Sequence, residues 1–231
     1  MISLDKKVNI HAGHRKRIDE KVKQVGLHNM PAHEQLEYML YQVIPLGNTN
    51  GIAHDLLQKF GSLGGIFYAS EKELMLVNGI GSRSAKFIAQ IPVISGIYQR
   101  ATMGEKIVLD TTDKIGEYVI TLFNGKLTEE VYIISLTANN RLIRYDRIAT
   151  GGTSNVPVYV RNIIDVVMSS KAYSAVLAHN HPSGELLPSP DDVEITKKVA
   201  AALSVMDVKL IDHIIAADKK YVSLRKTGII F

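Results

Sequence analysis

The chain has 231 residues, 46% hydrophobic and 22% charged, the balance of a globular protein of one or two domains. It contains no Cys and no Trp, which excludes a disulfide framework and a Cys-ligated structural zinc, so a bound metal must rely on His and carboxylate. The first residues, M-I-S-L-D-K-K-V, lack the apolar core of a signal peptide, and no apolar run approaches the roughly 20 residues that span a bilayer, so a cytoplasmic location with no membrane partner is expected. The formal net charge of +4 is unevenly placed: residues 1–104 carry 12 Lys/Arg against 8 Asp/Glu, residues 105–231 carry 15 against 15. That distribution favours an anionic partner for the first half, although the total is also an ordinary solubility charge.

In chain order, the first half reads as helices with short Gly and Pro punctuation. Arg15–Val25 is charged and amphipathic. Pro31 is placed at a helix N1 position, and the apolar spacing Leu36, Met39, Leu40, Val43 carries that helix to Pro45. Ile52, Leu56, Leu57 and Phe60 mark a further helix that stops at Gly61. Ser70 caps Glu71–Val77, and Ser82 starts a longer helix toward Tyr98, bent at Pro92. With no strand pattern, this half is expected to be all-α. The pattern changes at Met103–Glu105, which sets expected domains of 1–104 and 105–231.

Lys114–Phe123 is a helix; Val131–Leu136 and Leu142–Ala149 form a hairpin across Ala138-Asn139-Asn140, followed by a turn or bulge at Gly151-Gly152. Val160–Ser170 is an amphipathic helix, Ala175–His181 a strand, Pro190–Val205 a helix, and Val208–Ala217 and Tyr221–Leu224 are strands. Strands interleaved with helices predict a mixed sheet covered by helices.

The most informative segment is H-N-H-P-S-G-E-L-L-P-S-P-D-D at 179–192. His179 and His181, at i and i+2 on a strand, point to one face. Pro182 and Gly184 turn the chain, and Ser189 caps a helix whose first turn holds Asp192. Two imidazoles and one carboxylate with no fourth protein ligand describe an open, catalytic Zn2+ site. Such a site needs a general base that does not bind the metal. Glu129 and Glu130, just before the apolar run V-Y-I-I-S-L, are candidates, although a solvated strand end explains either one alone. Asp212, beside His213 on a later strand, is a candidate partner for a metal-bound imidazole.

These residues resemble the JAB1/MPN/Mov34 (JAMM) metallopeptidase motif, His-x-His, seven residues, then Ser-x-x-Asp, with Ser189 and Asp192 on its last two positions. More closely, the chain resembles bacterial RadC-type proteins, named historically for DNA repair. The likeness runs through His-Asn-His-Pro-Ser-Gly at 179–184, Pro-Ser and acids at 188–192, Asp212-His213-Ile214-Ile215 and the Tyr-Val-Ser-Leu at 221–224. It implies a cytidine-deaminase-like α/β/α domain holding Zn2+ through His179, His181 and Asp192. Glu130 is then the acid/base, Ser189 the group that holds the oxyanion or attacking water, and the reaction hydrolysis of a peptide amide or isopeptide bond. Where such relatives usually have Pro-Arg-Glu, this chain has Val160-Arg161-Asn162, so any role of that Glu is absent. Gly184-Glu185-Leu186-Leu187 differs from the usual Gly-Asp-Pro but keeps the ligand spacing.

In the first half, Leu74–Gly81 followed by Ser82–Ala89 resembles a helix-hairpin-helix with Gly-Ile-Gly between two helices. Gly79 and Gly81 permit a tight hairpin, Ile80 anchors it, and amides from Gly79 to Arg83 can face a phosphate, with Arg83 and Lys86 adding charge. Contacts of that kind predict sequence-independent, salt-sensitive DNA binding; the same motif also serves as plain packing. The rival to a hydrolase is therefore a non-enzymatic DNA-binding repair or recombination accessory protein.

Overall fold

The computed structural model describes residues 13–104, 106–151 and 158–228. Glu105 and Gly152, at the expected boundary and bulge, lie outside them. The chain forms two compact units that meet in sequence between Ile91 and Pro92.

The first unit is helical among its described residues: α1 (His14–Val25), a 3-10 turn (Leu27–Asn29), α2 (Ala32–Leu40), α3 (Thr49–Phe60), α4 (Leu63–Phe67), α5 (Glu71–Leu74) and the start of α6 (Ser82–Thr102). Side-chain oxygens satisfy the helix starts: Asn48 accepts from the Gly51 amide, Ser62 from Gly65, and Ser70 forms a reciprocal capping box with Glu73. One core joins these helices through Leu36, Leu40, Leu56, Ile66, Leu74 and Ile88. Two expectations are corrected. Pro31 has an extended ψ of 150° and stands before the helix rather than inside it, and α2 ends at Leu40 instead of running to Pro45. Helix α6 continues past Pro92 to Thr102, beyond the expected Tyr98.

The second unit contains α7 (Thr112–Phe123), β1 (Glu130–Leu136), β2 (Leu142–Thr150), α8 (Val160–Ser169), β3 (Ser174–Asn180), α9 (Pro190–Val205), β4 (Lys209–Ala217) and β5 (Lys220–Ser223). The strands form one sheet in the order β2-β1-β3-β4-β5. It is mixed, as expected: β3 and β4 pair in parallel with α9 as the crossover, and the other pairs are antiparallel. Strand alternation sorts the side chains into two layers. Tyr132, Ile134, Val176, Ala178 and Ile214 pack with Ile115, Tyr118 and Val119 of α7. Val131, Ile133, Ala175 and Leu177 pack with Ile163 and Val167 of α8 and Val199 and Leu203 of α9. Helices thus cover both faces, which is why β1 and β3 are buried along their whole length. The far end of β3 opens toward the start of α9, the place where parallel βα connections form sites.

Candidate metal centre

In the antiparallel register Val131 stands opposite His179, so His179 points to the face covered by α8 and α9. The His181 amide donates to the Ala216 carbonyl at 2.8 Å, prolonging the pairing past the end of β3 and keeping both imidazoles on one side. The chain then turns at Gly184, φ +85°, a conformation that favours glycine. Ser189 and Asp192 close a capping box: the Ser189 amide donates to Asp192 Oδ2 at 2.8 Å and the Asp192 amide to Ser189 Oγ at 3.1 Å. That box fixes the carboxylate at the mouth of α9.

The ligand atoms of His179, His181 and Asp192 lie within 4.8 Å of one another, a group able to hold a metal ion. His179 Nε2 is 2.9 Å from His181 Nε2 and 3.1 Å from Asp192 Oδ1; His181 Nε2 is 3.7 Å from Asp192 Oδ2. Each ring is tethered through its other nitrogen, His181 Nδ1 to the Glu185 carbonyl at 2.8 Å and His179 Nδ1 to His213 Nε2 at 2.8 Å. His179 is buried, and the other two are partly open to solvent. Burial opposes charge on Asp192, but the hydrogen bonds from His179, His181 and Ser189 outweigh it and hold the carboxyl far below its usual range. The Asp192 carboxylate raises the His181 pKa against the effect of burial, with smaller upward contributions from the Glu185 carbonyl and the charge of Glu129. Two imidazole nitrogens and a carboxylate oxygen suit zinc and neighbouring divalent transition metals.

A family model described as the RadC-like JAB domain matches residues 109–229, which include all three of these residues. The chain belongs to that family. A UPF0758 protein of Fusobacterium nucleatum subsp. nucleatum is 34% identical over 227 residues, covering 94% of this chain and 97% of that protein.

Other predicted positions in this RadC-like protein fall differently. Ser189 Oγ donates to Asp192 Oδ2 at 2.7 Å, so in this arrangement its hydrogen is committed to the ligand. The Glu130 side chain leaves on the opposite face of the sheet. It shares that face with Tyr132, whose hydroxyl donates to it at 2.8 Å, and it pairs with Lys126 at 3.1 Å and Arg147 at 3.5 Å. The neighbouring Glu129, just before β1, lies near enough for its charge to raise the His181 pKa. Asp212 also faces away, accepting from the Ser223 hydroxyl at 2.6 Å and from the amides of His213 and Arg225. Burial raises its pKa.

Three residues to which the sequence reading gave no role support the site. His213, buried, contacts His179; Thr196 links His213 to the Asp192 backbone carbonyl. Asn180, between the two ligand histidines, turns to the other face and clamps the start of β1, accepting from the Glu130 amide at 2.8 Å and donating to the Thr128 carbonyl at 3.0 Å. Adjacent polar residues inside otherwise apolar strands, Asp212-His213 and His179-Asn180, were the available signal, but which face each takes depends on register.

In the first unit, Gly79 has φ +87°, Ile80 is buried, and Arg83 and Lys86 are exposed at the start of α6. The Gly81 amide, expected to face a phosphate, instead donates to Ser84 Oγ at 3.0 Å. Of the further histidines, His33 and His54 stack on each other at 4.5 Å, and His11 lies outside the described residues. Among those residues, no helix is long and apolar enough to cross a membrane.

Proposed function

We propose that this RadC-like protein is a zinc-dependent hydrolase of peptide amide or isopeptide bonds. The observation that carries this reading is the convergence of His179 Nε2, His181 Nε2 and an Asp192 oxygen, with both rings tethered through Nδ1. A zinc ion bound there supplies a water of lowered pKa and a Lewis acid for the scissile carbonyl. The remaining work belongs to the chain. Asp192 keeps its negative charge at all physiological pH, and the partly open side beside His181 admits the substrate.

Proton transfer from water to the leaving amine needs a carboxylate on the histidine side. The family resemblance points to Glu130, but the face and charge argument supports Glu129. Glu130 then anchors the start of β1 through Tyr132, Lys126 and Arg147. Ser189 orients Asp192 through its hydroxyl; the family resemblance also assigns it the oxyanion, a role that requires this hydrogen to leave Asp192 Oδ2.

Metal analysis of purified wild type and His179→Ala tests the foundation: wild type should carry about one equivalent of zinc and the variant none. A panel of fluorogenic peptides and lysine-linked isopeptides then separates the two acids. Glu129→Gln should keep zinc and lose turnover by at least about a hundredfold, while Glu130→Gln keeps turnover in proportion to its folded fraction. The reverse pattern would return the role to Glu130.

A second reading, a non-enzymatic DNA-associated accessory protein, draws on exposed Arg83 and Lys86 beside the Gly79 turn. Its test is a salt titration of duplex binding by the full chain. Each of Arg83→Ala and Lys86→Ala should lower the slope of log affinity against log salt by about one. An unchanged slope removes the DNA contact from this turn.

A further inference from the structure

We propose that His213 is a positioning residue that fixes the tautomer of His179, and that Thr196 ties this control to the helix carrying Asp192. The direction of every hydrogen bond in the chain follows from one end. The Asp192 main-chain carbonyl can only accept, so the Thr196 hydroxyl must donate to it. The Thr196 oxygen, its hydrogen spent, accepts from His213 Nδ1–H. The His213 ring is 1% exposed with no carboxylate hydrogen-bonded to it, so it is neutral and its Nε2 carries a lone pair. That lone pair accepts from His179 Nδ1–H at 2.8 Å. His179 Nδ1 therefore carries a proton, which makes Nε2, facing His181 and Asp192, the nitrogen this ring can offer a metal.

One buried chain thus sets the ring form of the first ligand and grips the helical turn of the third. His181 has a separate tether, because the Glu185 carbonyl accepts from its Nδ1–H at 2.8 Å. Both rings are thus held through Nδ1, leaving Nε2 as the nitrogen each can offer a metal. Outer partners of ligand histidines typically control metal affinity by 10–100-fold. Asp212, next in sequence to His213, plays no part, since its oxygens are occupied on the other face.

The purpose of the relay rests on the zinc reading, but its existence does not. Long-range proton–nitrogen spectra of the metal-free, nitrogen-15-labelled full chain should show His179 protonated on Nδ1. A bare Nδ1 on His179 overturns the proposal. Thr196→Val keeps the side-chain volume and removes the hydroxyl. Its His179 should lose the single tautomer, and its zinc dissociation constant, read by competition with a chromophoric chelator, should rise about 10–100-fold. Wild-type affinity in a folded Thr196→Val protein also overturns it. In His213→Gln the carboxamide can accept from His179 and donate to Thr196, so this variant should recover most of the affinity that His213→Leu loses; equal losses overturn the proposal. If wild type shows the Nδ1–H form yet takes up no zinc, the relay stands and the hydrolase reading fails.

Discussion

Two largely buried carboxylates, Glu37 in the helical unit and Asp192 in the sheet unit, have both been pulled below their ordinary pKa, and they reach that state by different means. Burial works against charge on Glu37, but His14, Tyr41 and Asn50 donate to it at 2.9–3.0 Å and Thr49 adds a longer bond. Its oxygens are fully used by the chain, so the group is closed. Asp192 instead faces two imidazole nitrogens that also face each other at 2.9 Å. With both rings tethered through Nδ1, two Nε2 atoms and a carboxylate oxygen converge where one cation can replace the protons they share. A depressed carboxylate alone therefore does not mark a site; convergence of several ligand atoms does.

The comparison breaks if removing either acid has the same consequence. Asp192→Ala should abolish stoichiometric zinc binding, measured by metal analysis, while leaving the sheet unit folded. Glu37→Leu should leave zinc content unchanged and destabilise the protein by about 3 kcal/mol in denaturant unfolding, because it strands donors around a buried position. Zinc lost from Glu37→Leu at full folding, or retained by Asp192→Ala, would erase the distinction.

Acidity sharpens it. Both depressed carboxylates contribute stability that is present above the ordinary carboxylate pKa and disappears as pH falls through their lowered folded values. His181 adds an opposite dependence. Its pKa is raised from 6.5, so the metal-free protein gains stability below that value and loses it as pH rises through the raised one. Zinc needs the neutral ring, so its affinity should climb across the same window. Unfolding free energy of metal-free protein and zinc affinity, followed between pH 6 and 8, should move in opposite directions. Parallel trends would mean that His181 is not where proton and metal compete.

What could be read from the sequence was whatever depends on neighbours along the chain. His179 and His181 share a face because a strand alternates, and Asp192 reaches them because Ser189 caps the helix that carries it. Those rules are local. The roles of Glu129 and Glu130, or of Asp212 and His213, turn on parity, which is set by the pairing of β1 with β3 and of β3 with β4. That second pairing carries a register shift between Ala175 and Val176. Nothing local announces that shift, so the sequence leaves open which member of each adjacent pair faces the histidines. Helix α4 was missed for another reason. Gly64-Gly65 reads as a break, but a Cβ on Gly65 would sit 2.2 Å from the Phe60 carbonyl oxygen, so glycine is required by a close approach within a helix.

The smallest expected effect uses a control that the molecule supplies. The same capping box occurs twice: Ser70 with Glu73 in the helical unit and Ser189 with Asp192 at the metal centre, each with the amide and hydroxyl of Ser donating to one carboxylate oxygen at 2.8 and 2.7 Å. Ser70→Ala should weaken only its own helix start. Ser189→Ala should cost about 1 kcal/mol of stability for the lost cap. It should also weaken zinc binding about tenfold, because Asp192 loses the hydroxyl that orients Oδ2 while keeping its amide contact. Paired unfolding and chelator-competition measurements on the two variants separate capping from ligand orientation. If Ser189→Ala binds zinc as tightly as Ser70→Ala, the box at the metal centre is a helix start and nothing more.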